Sequence, residues 1–250
     1  MQKNQPAVFI LIALFSLYTN DLSAQSNFIK YELGAGLNSF IYQGDLAPSR
    51  FGSYKTMQFG INLSGSRIIN RLFMVRLNVA IGGLKGDESK FDSPDYRKHR
   101  NFNFSTPVLE LAPMLVYNLF GKNYAEKGLS PYIFGGAGIS LLKIKRDWSN
   151  YDAAFFGDGS DISARIAIDA AHSVPGIMPV IPFGVGIRYS LSPTIALTAE
   201  SSYRLTFTDY LDGFSQAANP AINDHYQLIT VGAIYRLGNT NTLSCPALKY

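Results

Sequence analysis

The chain has a single cysteine, Cys245, three histidines and only 16% charged residues. One cysteine cannot close an intrachain disulfide, and Cys245 reads as an incidental thiol in the C-terminal tail. After the N-terminus no run of about eighteen consecutive apolar residues occurs, which excludes a transmembrane helix. His99, His172 and His225 lie far apart and have no metal-ligand spacing. Lys and Arg total 22 against 18 Asp and Glu, a formal charge of +4, but they are scattered and form no patch. That argues against a nucleic-acid partner. With 47% hydrophobic residues and a mean hydropathy of +0.04, the chain is too polar for a helical membrane protein and too apolar for a disordered one.

What the chain does have is Gly 22, Phe 17 and Tyr 15, a composition that suits tightly curved strands with rings at a membrane interface. Its N-terminus reads as an export signal. Lys3 precedes an apolar run from Ala7 to Tyr18, and Leu22-Ser23-Ala24 before Gln25 offers a cleavage site. No cysteine lies near that site, so a lipoprotein is not expected. The expected organisation is a signal peptide over 1–24, a β-barrel over 25–238 and a periplasmic tail over 239–250.

The mature chain alternates apolar and polar residues in eight segments. The first sets Ile29, Tyr31, Leu33, Ala35, Leu37 and Ile41 against Lys30, Glu32, Gly34, Gly36 and Asn38. The other apolar faces run Met57–Leu63, Phe73–Ile81, Leu109–Leu119, Ile133–Leu141, Ile181–Tyr189, Ile195–Phe207 and Ile229–Leu237. Connections near Asn70, Gly121 to Gly128 and Ser190 to Pro193 are short. Those at about 42–56, 83–106, 143–177 and 208–224 are long. Small polar residues opposite the apolar ones, with short turns alternating with long loops, predict an all-β, eight-stranded antiparallel transmembrane barrel. Its four long loops would be extracellular and its location the cell outer membrane. Pro113 and Pro182 fall within strands and predict local bulges.

Alternation assigns Glu32, Arg76, Glu110, Arg188, Glu200, Arg204 and Arg236 to the interior, because a charge on the lipid face near midplane costs about 2–4 kcal/mol. An eight-stranded interior is only wide enough for side chains, so these seven predict an ion-pair network in the lumen. A gated pore or proton path is the alternative use of the same charges. Tyr42, Phe104, Tyr132, Tyr189 and Phe207 near strand ends predict aromatic girdles. The mixed charges Lys85, Asp87, Glu88, Lys90, Asp92, Asp95, Arg97, Lys98 and Arg100 read as a solvated loop whose cations suit lipopolysaccharide phosphates. All three histidines fall in expected extracellular loops. His172-Ser173 invites a hydrolase interpretation, and Gly157 to Asp161 superficially resembles a calcium loop but lacks its terminal glutamate.

In the last segment, Thr230, Gly232, Tyr235 and Leu237 resemble the C-terminal signal read by the barrel-assembly machinery. More broadly, YELGAGLNSFIYQGDL (Tyr31–Leu46), FSTPVLELAPMLVYNLF (Phe104–Phe120), PYIFGGAGI (Pro131–Ile139) and YRLG (Tyr235–Gly238) are similar to small Bacteroidetes outer-membrane barrels of the DUF6089 or PorG-like type. That resemblance implies a barrel associated with the periplasmic ring of the type IX secretion system. It also implies a secretion-ring or lipoprotein partner in the periplasm. No catalytic, cofactor or metal residues are expected, and the chain is expected not to be an enzyme. The leading function is a membrane anchor or assembly partner for envelope machinery. The alternatives are a narrow porin-like channel and a lipid-modifying enzyme.

Overall fold

The computed structural model describes residues 31–157, 160–221 and 223–237. The expected signal peptide, the tail with Cys245, and the Asp158-Gly159 part of the calcium-like segment lie outside these residues. The elements in order are β1 (Tyr31–Gln43), β2 (Gln58–Ile68), β3 (Phe73–Asp87), α1 (Tyr96–Arg100), β4 (Asn103–Asn118), β5 (Gly128–Gly136), β6 (Gly138–Leu142) and β7 (Lys145–Asp147). They continue with α2 (Ala153–Phe156), α3 (Asp161–Ala171), β8 (Ile177–Ser190), β9 (Ile195–Leu205) and β10 (His225–Leu237). Among the described residues no helix is long and apolar enough to cross a membrane.

The sheet closes on itself. β1 pairs antiparallel with β2 and also with β10, from Tyr31↔Leu237 to Gln43↔His225. β5, β6 and β7 all pair with β4 in one unbroken register, through Met114↔Gly136, Leu111↔Ile139 and Phe104↔Arg146. They are therefore a single barrel strand, and the 10-stranded sheet is an eight-stranded ring. Closure gives every strand two neighbours, so main-chain groups are satisfied without water, as a bilayer requires.

The strand break at Ala137 lies opposite Pro113. Ala137 N–H donates to Pro113 O at 3.3 Å, but proline has no N–H to return. One ladder bond is lost and no residue is inserted, so the bulge expected at Pro113 does not form. Pro182 likewise sits in continuous register between Ile181↔Leu205 and Phe183↔Tyr203. The expected bulge is absent there too. A missing donor interrupts a ladder; only an extra residue shifts it.

Odd-numbered strand residues point outward from the ring in every barrel strand, as in β3 and β4. Leu37, Phe59, Val185 and Val231 are 59–74% exposed, whereas Asn38, Ala80, Glu110 and Val116 are buried. A belt this apolar is costly in water and suits acyl chains. The inner face is crowded. The Phe40 ring lies against Gly60 and Gly82, where a Cβ would collide with it. Two buried clusters fill the interior. Ile68, Met74, Ala112, Met114, Val116, Tyr132 and Phe134 lie together toward the short turns. Phe40, Tyr42, Phe102, Phe104, Leu211, Phe214 and Tyr226 gather toward the long loops.

Three of the five expected girdle aromatics point the other way. Tyr42, Phe104 and Tyr132 are 1–2% exposed and face the lumen, while Tyr189 and Phe207 are 50% and 57% exposed. The first three carry even numbers in strands whose even residues face inward, and position on the pleat overrides a preference for rings at interfaces. Ile41 keeps its outward register yet is 2% exposed. The 44–57 loop folds back over it, with Gln43 Nε2 donating to Phe51 O at 3.2 Å. The β3–β4 hairpin also outlasts the expected strands, pairing as far as Asp87↔Asn103. Lys85 and Asp87 are therefore strand residues, and His225 opens β10 instead of lying in a loop.

Candidate functional site

The inward faces of six barrel strands bring the seven expected lumen charges into three groups. At the short-turn end, Glu32 on β1 is held by two arginines. Arg188 Nη2 lies 2.9 Å from Oε2, and Arg236 Nε lies 3.2 Å from Oε1. Arg236 also donates to Ala125 O at 2.7 Å and Ser190 Oγ at 2.9 Å, tying the turn to the barrel. Midway, Arg76 on β3 meets Glu200 on β9 at 2.6 Å. Tyr132 donates to the same carboxylate oxygen at 2.5 Å, and the Arg76 guanidinium lies 5.5 and 5.3 Å from the Tyr132 and Phe134 rings. Higher up, Arg204 on β9 pairs with Glu110 on β4 at 3.0 Å, and Tyr226 donates to the second oxygen at 2.8 Å.

Every member of these groups is at least about nine-tenths buried. Desolvating such charges is expensive, and the pairing with additional hydrogen bonds offsets that cost. The space beside Arg76 and Glu200, bounded by Gly34, Gly36, Asn62 and Thr198, is about 20 Å³, room for about one water molecule. The lumen at this level is a packed polar interior.

The four residues expected to form the assembly signal lie on β10, the strand that closes the ring. Thr230 faces inward and donates to Asn38 Oδ1 at 2.7 Å. Gly232 pairs with Gly36, where a Cβ on either would press against the opposing backbone. Tyr235 and Leu237 face outward, 54% and 40% exposed.

Above the barrel the long loops form a cap with buried charges of its own. Glu88, expected in a solvated loop, is 0% exposed. It receives Arg100 Nη2 at 2.5 Å and Nε at 2.9 Å, with the Phe102 N–H at 3.3 Å. Arg97 approaches it at 3.6 Å. Of the mixed-charge set, Lys98 and Asp92 do form an exposed pair at 2.7 Å, but Glu88, Arg97 and Arg100 are buried. A signal for this was present: Glu88 continues the even, inward phase of β3.

Asp169 on α3 gathers the fourth long loop. It accepts the Ser215, Gln216 and Ala217 N–H groups at 3.2, 3.1 and 2.9 Å and the Tyr210 hydroxyl at 3.2 Å. Asp212 and Asp224 flank the Tyr42 hydroxyl at 2.7 and 2.6 Å. One phenol has one proton, so it can donate to only one of them at a time. Burial pushes both carboxyls well above their usual range. Phe102 and Phe214 stack at 4.5 Å, with Trp148 edge-on to Phe214 at 6.1 Å, sealing the cap over the lumen.

His99 and His172 serve the cap's packing. His99 Nδ1 lies 3.0 Å from Asp152, whose carboxyl it holds below the usual range, and its ring stacks on Phe155 at 3.7 Å. His172, next to Ser173, stacks on Tyr210 at 4.0 Å, and its carbonyl accepts from Arg146.

Ring closure, an apolar outer belt and a filled interior define a small transmembrane β-barrel of the outer-membrane type. The family model of a domain of unknown function, DUF6089, matches residues 7–241. The chain belongs to that family. No curated protein sequence matches it. Among solved structures it is similar to Ail, the attachment invasion locus protein of Yersinia pestis, in complex with the heparin analogue sucrose octasulfate. Identity there is 16%, covering 83% of this chain and 98% of that one, with a TM-score of 0.45. Neisserial surface protein A is similar at 16% identity, over 83% of this chain and 97% of that one, TM-score 0.43. The outer membrane protein OprG from Pseudomonas aeruginosa matches at 12% identity over 87% and 100% of the two chains, TM-score 0.44.

Proposed function

We propose that this protein is a non-enzymatic barrel of the bacterial outer membrane that serves as a membrane anchor or assembly partner for cell-envelope machinery. The observation that carries this is the filled interior. The lumen is occupied by ion pairs from opposite walls, and the loops above it pack into an apolar cap. A wall that closed presents its surfaces, and not its bore, to other molecules. The likeness of its strand motifs to PorG-like barrels makes the periplasmic ring of type IX secretion the first partner to test.

On this account the short turns face the periplasm, and Phe120 beside them is 66% exposed, available to a neighbour. A photo-crosslinking residue at Phe120 or Lys122 in intact cells should trap a discrete periplasmic or lipoprotein neighbour, and one at Lys98 should not. A correctly folded barrel yielding no adduct from the short-turn positions would remove the anchor function.

A further inference from the structure

At the long-loop end a cavity of about 600 Å³ opens between the 44–57 loop, α1 and the 206–224 loop. Its walls carry Asp45, Arg50, Arg97, Arg100, Asn219 and His225. Arg100 is committed, with Glu88 on one side and Ala217 O on the other. Arg97 is not. It is 8% exposed, yet of its three nitrogens only Nη2 has a hydrogen-bond acceptor, the Asp45 carbonyl at 3.3 Å. Its Nε and Nη1 are buried with none, and Glu88 Oε1 lies 3.6 Å from Nη1, beyond hydrogen-bonding distance. Buried guanidinium nitrogens without acceptors are costly, and a cavity is where an acceptor can enter.

Three arginines, Arg50, Arg97 and Arg100, line the cavity against one carboxyl, Asp45, while Glu88, Asp209, Asp212 and Asp224 lie behind that lining. Asp45 adds a complementary feature: its Oδ2 accepts the Asn219 N–H at 2.7 Å, leaving its other oxygen for a donor. The cavity therefore offers a buried guanidinium for an oxyanion, a carboxyl acceptor for a hydroxyl, and amide, imidazole and tyrosine groups around them. Its volume falls in the range of small-molecule sites, roughly 300–1,000 Å³, well above that of a bare inorganic ion.

We propose that this cavity binds the anionic group of an acidic sugar, a phosphorylated or carboxylated saccharide unit, with the oxyanion on Arg97 and a sugar hydroxyl on Asp45. The sugar can reach the long-loop end as a free molecule or as the headgroup of a surface glycolipid.

The test is calorimetric titration of the full-length barrel in detergent micelles with glucose 6-phosphate and with glucuronate. Glucose and inorganic phosphate are the comparison probes. Saturable binding of both acidic sugars is expected. Affinity should fall at least tenfold in Arg97→Gln and less in Asp45→Asn, and glucose should not bind. Arg50→Gln alters an exposed side chain, so it reports the electrostatic contribution without risk to folding, and should weaken binding about threefold. Heat-modifiable migration on gels verifies that each variant is folded. Repeating the titration in nanodiscs with and without phosphorylated lipopolysaccharide distinguishes the sources: competition by the glycolipid identifies a headgroup, and no competition identifies a free sugar. Absence of saturable binding by either acidic sugar overturns the proposal. So does binding that Arg97→Gln leaves unchanged, or phosphate binding as tightly as the sugar phosphate.

Discussion

In the lumen, carboxylates meet arginines that lie 94 to 204 residues away in sequence. In the cap, Glu88 meets Arg100 only 12 residues away, and Asp169 is satisfied mainly by backbone N–H groups of one loop. Both regions bury charge, but by different means. A lumen pair exists only when the ring has closed and all strands are in register. A cap pair needs only its own loops in place. Damage to the first should weaken the whole barrel, and damage to the second should open a local unit while the strands stay closed.

The largest effect is expected from Glu32→Ala, which leaves Arg188 and Arg236 buried without their carboxylate. It should cost about 3–5 kcal/mol of global stability, read as a shift of the urea unfolding midpoint in lipid vesicles. Arg76→Ala should come next at about 3 kcal/mol, because Glu200 keeps the Tyr132 hydroxyl when its arginine is gone. If both variants unfolded with the wild-type midpoint, the inward placement of these side chains would be wrong.

Arg100→Ala sharpens the contrast. It strips the buried Glu88 of its bidentate partner, yet β1 and β10 do not depend on that pair. Amide exchange over 88–102 should quicken by the equivalent of about 1–3 kcal/mol of local opening, with the barrel strands still protected. Loss of protection throughout the strands would erase the distinction between the two regions.

The cap should also respond to pH. Burial pushes Asp45 up to about 6 and Asp209 up to about 7, against about 3.9 in the unfolded chain. The folded cap therefore binds more protons than the open one. The stability these groups contribute is fully present below about pH 4 and is lost as pH rises through about 6 to 7. After correction for intrinsic rates, exchange over 206–221 should be faster at pH 8 than at pH 5, and the reverse order would contradict the buried placement of both carboxyls. Lys98→Ala, which removes an exposed pair with Asp92, should change neither midpoint nor exchange measurably.

The parts of this molecule that follow period two were legible in the sequence. Alternation assigns Glu32, Arg76, Glu110 and the other lumen charges to one face, and closure of the ring then makes them neighbours. The same rule, applied strictly, would have turned Tyr42, Phe104 and Tyr132 inward; attending to ring chemistry instead of position is what misplaced them. Continuing the phase of β3 one step further would have buried Glu88. The partners of Asp169 and the enclosure of Tyr42 by Asp212 and Asp224 follow no period. They depend on how separate loops fold over one another, so no local pattern announces them. Pro113 shows a smaller version of the same limit: the sequence reveals the missing donor, but only the register reveals that nothing was inserted.

The central claim is that the barrel's interior is occupied and the protein works through its surfaces. The most direct test is conductance of the purified, heat-modifiable barrel in planar lipid bilayers. A filled lumen predicts no steady current above the bare-bilayer baseline for the wild type, with leakage appearing when Glu32 and Arg76 are both replaced by alanine. A stable, ohmic open level in the wild-type protein would contradict it.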